Sequence, residues 1–235
     1  MSVRTKLHRV KVRLNLSRAL ASEGISDIKQ RHSDFDLIRN RVRESGTDNL
    51  THFGNGYTHE GGLYLQQNAD EFAALTLFLR ERGPHLNYLE IGSASGGACF
   101  FLYRELGFRS VISIDDGGHP RAAAQAEHFA QISNFKQFLG DSHTGNARRF
   151  LEQNVEGKLD VAFIDGDHSF EGVWQDIELT RPFCRVGALM ILHDTVACEG
   201  VNRAWRKCIQ RNVLRPLAEF VGEEKPLGIG VGSVI

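Results

Sequence analysis

Residues 88–97 read Tyr88-Leu89-Glu90-Ile91-Gly92-Ser93-Ala94-Ser95-Gly96-Gly97: an apolar run that ends on an acid, turns through glycines and passes directly into an amphipathic stretch, Gly97–Leu106. Gly92 permits a sharp turn, and Gly96 and Gly97 let a ligand approach the backbone near a helix N-terminus. A glycine-rich turn alone is a weak signal, because tight strand-to-helix packing also selects small residues. The pattern is not GxGxxG, since Ala94 and Ser95 occupy places that this fingerprint assigns otherwise. Nor is it GxxxxGK[ST], which disfavours a nucleoside triphosphate.

Outward from this turn, short apolar runs alternate with amphipathic stretches. The runs are Leu86–Ile91, Val111–Ile114, Phe135–Leu139, Leu159–Ile164 and Ala188–Leu192, with a weaker closing pair near Phe220–Val221 and Ile229–Val234. The helical candidates are Gly97–Leu106, Ala122–Ile132, His143–Gln153, Phe170–Phe183 and Val201–Gln210. This alternation predicts right-handed βαβ crossovers, hence an α/β fold whose parallel sheet is covered on both faces and binds its ligand at the carboxyl ends of the strands. Upstream, Asn68 and Glu71 have capping-box spacing, and Phe72, Leu75, Phe78 and Leu79 form the apolar face of a helix. The compact domain is expected over residues 63–235. Residues 1–62 form an N-terminal extension that includes a Gly-, Thr-, Asn- and His-rich loop over 45–63, and are expected to serve as an oligomer contact or a substrate lid.

At 235 residues, with 24% charged and 41% hydrophobic side chains, the chain has the composition of an ordinary globular domain. No apolar run is long enough to span a membrane. The formal charge of −1 is unevenly spread: residues 1–22 hold six Lys/Arg and no acid, leaving −7 on the remainder. A basic stripe along the domain is therefore absent, and no nucleic-acid partner is expected. Within residues 1–22, Val3, Leu7, Val10 and Leu14 recur at helical spacing while Val10, Val12, Leu14 and Leu16 alternate like a strand, so both readings stay open. The extension is read as an appendage that packs on a neighbouring subunit or on the domain, and a homo-oligomer is expected. Cys99, Cys184, Cys198 and Cys208 are widely spaced with no CxxC, as expected of a reduced, cytoplasmic chain.

Acids recur where the strands end: Glu90, Asp115, Asp141, Asp165 and Asp194. One such carboxylate is a common helix cap, but five in register at the ligand-binding edge go beyond capping. With Leu89–Gly97, Ile114-Asp115, Gly140-Asp141-Ser142, Phe163-Ile164-Asp165-Gly166-Asp167-His168-Ser169-Phe170-Glu171-Gly172 and Leu192-His193-Asp194-Thr195, residues 63–235 resemble the class I S-adenosylmethionine-dependent methyltransferases. The nearest branch is that of the catechol-type and macrolide-sugar O-methyltransferases and the cephalosporin-hydroxylase-like proteins. The resemblance implies a Rossmann-like sheet of seven strands, order 3-2-1-4-5-7-6, with strand 7 antiparallel and helices on both faces. It implies that Glu90, Gly92, Ser93 and Gly96 surround the methionine end of the cofactor, that Asp115 holds the ribose hydroxyls, with Asp116 a second candidate, that Asp141 and Ser142 border the adenine, and that Asp165 also lies against the cofactor. Ala94 departs from the family's middle glycine and is read as tolerated unless that position requires positive φ.

Methyl transfer to oxygen requires the acceptor hydroxyl to lose its proton, to a general base or with the help of a divalent metal. By the resemblance, His168 stands where the catechol-type enzymes carry their base, with Asp165 beside it, and Asp165, His193 and Asp194 fall on metal ligands. An imidazole in that set suits Mn2+ better than Mg2+; alternatively, Thr195 supplies an oxygen and His193 faces away, or the acids bind no metal. The implied acceptor is a small-molecule hydroxyl on a sugar or a phenolic natural product. Two alternatives stand beside this one: a nicotinamide-dependent oxidoreductase of similar fold, and a non-catalytic S-adenosylmethionine-binding scaffold.

Overall fold

The computed structural model describes residues 23–45, 65–119, 129 and 134–235. Among these, helices α1 (Ile25–Arg31), α2 (Phe35–Glu44) and α3 (Ala69–Glu81) precede β1 (Asn87–Ile91), α4 (Gly97–Leu106), β2 (Ser110–Asp115) and β3 (Phe135–Leu139). There follow α5 (Gly145–Asn154), β4 (Leu159–Ile164), α6 (Phe170–Thr180), β5 (Cys184–His193), α7 (Glu199–Gln210), β6 (Leu214–Phe220) and β7 (Ile229–Val234). The expected basic segment 1–22, the loop over 45–63 beyond Ser45 and the helix over 122–132, Phe129 apart, lie outside the described residues.

The seven strands form one sheet in the order β3-β2-β1-β4-β5-β7-β6. Neighbouring strands from β3 to β5 pair in parallel, and β7 runs antiparallel to both β5 and β6. Order and direction are those implied by the resemblance. The closing strand β6 is longer than its apolar signal, because Arg215, Pro216 and Glu219 break the run and a register shift follows Pro216. An edge strand tolerates that proline, whose missing N–H removes no interior ladder bond.

Alternate strand residues divide the core into two layers. Tyr88, Val161, Phe163, Leu189 and Ile191 face α1 to α4, whereas Leu89, Ile91, Ala162, Ile164, Met190 and Leu192 face α5 to α7. Period-two alternation carries the first set on to Glu90 and His193, so these polar groups emerge on the α3 side of the sheet.

Helix α3 is buried on every face from Glu71 to Leu79, more completely than its apolar stripe predicts. It is flanked by α1 and α2, whose Ile28, Phe35, Ile38 and Val42 are buried in the same core. Ion pairs of Arg31 with Glu23 and Glu81, and of Arg80 with Asp34 and Glu105, line the outer seam.

The Asn68 side chain caps α3, accepting from the N–H groups of Asp70 and Glu71. Glu71 does not close the capping box. Its fully buried carboxylate instead accepts N–H bonds from Gly222, Leu227 and Gly228 in the β6–β7 connection, at 2.7, 3.1 and 2.9 Å. Burial pushes the carboxyl up to about 7 against the lowering effect of these bonds. The start of α3 thereby anchors the chain that inserts β7 into the sheet. Glu71→Ala strands three backbone donors and should cost about 2 kcal/mol or more in denaturant unfolding; a loss below about 0.5 kcal/mol would show the anchor to be dispensable.

Candidate active site

The carboxyl edge of β1, β4 and β5 opens into a cleft of about 440 Å3 lined by Glu90, Gly92–Ala94, Asp165, His168, His193 and Asp194, together with Gln67 and Cys198. A larger cavity of about 630 Å3 lies among α1, α2 and the end of β6, but none of the strand-end acids predicted from sequence lines it.

The β1 turn is shaped by the chain itself before any ligand arrives. Gly92 has φ +84°, and a Cβ there would lie 2.2 Å from the Asp165 carbonyl oxygen, so only glycine lets the β1 and β4 turns pass. Gly96, at φ +89°, is the N-cap of α4. Ala94 has φ +49°, so the position left open by the sequence does require the left-handed conformation, at a cost of roughly 1–2 kcal/mol for a residue with a Cβ. Asp115 holds it there: one carboxylate oxygen accepts from Ala94 N–H at 2.7 Å and the other from Gly117 N–H at 2.8 Å. Each oxygen keeps a further lone pair. Ser93 shares a hydrogen bond with Ser113 beneath the turn.

Glu90 is 1% exposed, and the Tyr88 hydroxyl donates to its carboxylate. Burial pushes the Glu90 carboxyl up to about 8, despite the opposing Tyr88 bond. The charge of His193 also acts to lower it, and a cationic ligand in the cleft would add to that effect.

Asp165 is the meeting point of the site. His193 Nδ1 lies 2.9 Å from its Oδ1, His168 Nε2 lies 3.6 Å away, and the Gln67 amide donates to Oδ2 at 3.2 Å. Burial works to raise the Asp165 carboxyl, but the His193 charge and the two histidine contacts outweigh it and hold it low. The His193 imidazole is correspondingly raised against its own burial by Asp165 and Asp194. His168 also lies 3.4 Å from Asp194 Oδ2, with its side chain 44% exposed at the mouth of the cleft. Its contact with Asp165 raises its pKa over the lowering effect of burial.

The sequence-predicted residues thus fall into two groups. Glu90, Gly92, Ser93, Asp165, His168, His193 and Asp194 share one cleft, with Asp115 attached through Ala94. Asp141 and Ser142 follow β3 outside that lining, where Asp141 is exposed and accepts from His143 N–H. Asp116 is exposed, and its carboxylate accepts from Gly118 N–H. The alternative in which Thr195 replaces His193 as a ligand is overturned: Thr195 is fully buried against Gly228 and Gly230, whereas His193 faces the cleft. Gln67 and Asp176 were not singled out. Asp176 had a signal, being an acid one residue before Ile177 on the buried arc of α6.

This strand order, with an antiparallel β7 and acids at the carboxyl edge, is the architecture of the class I S-adenosylmethionine-dependent methyltransferases. Residues 89–195 match the family model described as a methyltransferase domain. Among solved structures, an O-methyltransferase from Bacillus cereus in complex with S-adenosylhomocysteine is 17% identical, covers 96% of this chain and 97% of its own, and has a TM-score of 0.59. The O-methyltransferase TomG from Streptomyces achromogenes, in complex with S-adenosylmethionine, is 16% identical over 95% of this chain and 96% of its own, with a TM-score of 0.57. The N-methyltransferase NodS from Bradyrhizobium japonicum, with S-adenosylhomocysteine, is 13% identical over 86% and 99%, TM-score 0.53. At these identities the likeness is one of fold, and it spans transfer to oxygen and to nitrogen. A curated relative, an uncharacterized protein of Acanthamoeba polyphaga mimivirus, is 24% identical over 46% of this chain, and the match spans about half (51%) of that relative's length.

Because folded Glu90 titrates near 8 against 4.5 for the free side chain, the native state retains a proton that the unfolded chain gives up as pH rises. Stability from this group is present below the lower value and lost through the upper one. Glu90→Gln should flatten the decline of the thermal midpoint between these pH values relative to wild type, read by calorimetry across the range. Parallel curves for the two proteins would contradict the assignment.

Proposed function

We propose that this protein is an S-adenosylmethionine-dependent O-methyltransferase acting on a hydroxyl of a small molecule, such as a sugar or a phenolic acceptor. The observation that carries this reading is His168: a half-exposed imidazole held between Asp165 and Asp194 at the mouth of a cleft whose floor is the glycine turn and buried Glu90. The residues fit the cofactor, since buried Glu90 would give up its proton and become negative beside a cationic group, and Asp115 keeps lone pairs for hydroxyl donors. When bound, the cofactor would supply an electrophilic methyl group for transfer to the acceptor oxygen. His168 takes the acceptor's proton at Nε2, and the two carboxylates stabilise the imidazolium that results. The walls of the cleft exclude water from groups whose charges cancel during transfer. A nicotinamide enzyme finds less support, because the order with β7 inserted is not that of a dinucleotide fold.

The proposal extends to a divalent cation, Mg2+ or Mn2+, held by Asp165, His193 and Asp194. One ligand atom from each lies within 4.8 Å of the others, a spacing and donor set that fit such an ion. The ion would lower the acceptor's hydroxyl pKa and orient it. His193 is the weakest member, since its Nε2 is buried without an acceptor among the described residues and a ligating imidazole normally has one. The two carboxylates would therefore carry most of the affinity. A cytoplasmic setting agrees with four free cysteines, three of them buried. Among the described residues no helix is long and apolar enough to cross a membrane. Residues 1–22, with their excess of basic side chains, are assigned to subunit contact in a homo-oligomer.

His168→Asn should reduce turnover on a panel of polyols and catechols by about 10²–10⁴-fold, while calorimetric affinity for S-adenosylhomocysteine stays within about twofold, well under the tenfold that 1.4 kcal/mol represents. Undiminished turnover would remove His168 from the mechanism. Chelator-treated wild type should regain activity with Mn2+ and chelated Asp165→Ala should not; full activity in the presence of chelator would exclude metal assistance.

A further inference from the structure

Cys198 ends the turn that follows β5, four residues beyond Asp194, and its N–H donates to the Asp194 carbonyl at 3.0 Å. Its side chain lines the cleft and is hydrogen-bonded to that of Asp194. Of the four free thiols it alone is not buried. The loop after β4 is pressed onto the same turn. At Gly200 an added Cβ would lie 2.3 Å from the His168 carbonyl oxygen and 2.5 Å from the Phe170 nitrogen, so the first turn of α7 and the His168–Phe170 backbone meet with no side chain between them. This contact holds His168 over the β5 turn, with its Nε2 3.4 Å from Asp194 Oδ2.

One ligand atom each from His168, Asp194 and Cys198, a nitrogen, an oxygen and a sulfur, lie within 4.8 Å of one another. Ligand atoms on a tetrahedral zinc ion stand about 3.3–3.6 Å apart. The nitrogen and oxygen are already at that separation, and the sulfur is at most about 1.2 Å beyond it, on a side chain with a single rotatable bond. The donor set separates this trio from Asp165, His193 and Asp194. A thiolate selects zinc-class ions, whereas Mg2+ and Mn2+ favour oxygen, and three protein ligands leave a fourth position open to the cleft. Asp194 faces the two sets with opposite oxygens: Oδ2 lies toward His168, and Oδ1 lies 3.5 Å from His193 Nδ1.

We propose that His168, Asp194 and Cys198 form a second cation site, specific for a thiophilic divalent ion such as Zn2+, and that its occupation silences His168. The Cys198 thiol gives up its proton to solvent as the sulfur–metal bond forms. His168 contributes the Nε2 lone pair, the same one that would take the acceptor's proton, so a metal-bound imidazole cannot serve as the base. The silencing, though not the site, rests on reading His168 as that base.

The test titrates the full chain, reduced and stripped of metal by chelator, first with Co2+ as the spectroscopic stand-in and then with Zn2+. Co2+ should produce a strong thiolate-to-metal charge-transfer absorption in the near ultraviolet, which Zn2+ then displaces. An ion held by Asp165, His193 and Asp194 gives no such band. Cys198→Ser should abolish it, with Cys198→Ala as the second variant should the first fail to fold, and His168→Ala should lower Zn2+ affinity by at least about tenfold. No band on wild type, or a band that survives in the Cys198 variant, overturns the site and leaves the methyltransferase reading in place. Zn2+ at a concentration that saturates the site should abolish methyl transfer by wild type, and Cys198→Ser should need at least about ten times more Zn2+ for the same loss. Turnover that persists at saturation overturns the silencing and, with it, His168 as the base.

Discussion

The carboxylate of Asp165 receives contacts from its own loop, through His168, and from two distant parts of the chain, His193 at the end of β5 and Gln67 just ahead of α3. A carboxylate removed from water is costly unless it is paired and hydrogen-bonded, so these partners are conditions for its placement. Meeting them requires β4 and β5 to be in register, the β4 loop to fold back over Gly92, and α3 to begin where it does. Much of the architecture can be read as the apparatus that satisfies this one group.

That apparatus has a second tier. Glu71 ties the start of α3 to the β6–β7 connection, and Asn68 bonds the carbonyls of Glu224 and Lys225 in the same connection. On the far side, the N–H of Thr195 donates to the carbonyl of Gly228 and those of Val196 and Ala197 donate to that of Leu227. The segment after β5 is thus fixed to the same connection that α3 holds. Gln67, Asp194 and Leu227 meet in the cleft because these backbone bonds bring them there, and strain such as the positive φ of Ala94 and Asp194 is sustained by this surrounding order.

The fold was largely legible because strands buried on both faces leave apolar runs: Leu159–Ile164 and Ile229–Val234 coincide with β4 and β7, while the partly exposed edge strand β3 was marked by Phe135, Phe138 and Leu139 alone. Strand β6 was nearly invisible, its pattern broken by Pro216 and charged neighbours at an edge where both are tolerated. Helix α2 carries Phe35, Ile38 and Val42 at helical spacing among charged residues, a sparse signal whose partner α3 lies far along the chain. Of the site, the strand-end acids and His168 were readable because chemistry was concentrated in short motifs. Gln67 and Asp176 were not, since what each does depends on side chains 98 and 34 residues away in the chain. The capping-box spacing at Asn68 and Glu71 misled in half of its content, because a tertiary demand for three N–H acceptors took Glu71 from the helix end.

Strand β7 follows β6 in the chain yet lies between it and β5, and its Ile229 is paired with His193. During synthesis, then, β5 emerges with an unpaired apolar edge that must wait for the residues beyond 228. An exposed edge of this kind is a template for wrong partners, including β5 of another nascent chain. The fold cannot be completed in the order in which it is made. A ribosome-bound chain halted before residue 229 would thus leave the β5 edge open beside His193, and would be a natural client for a chaperone.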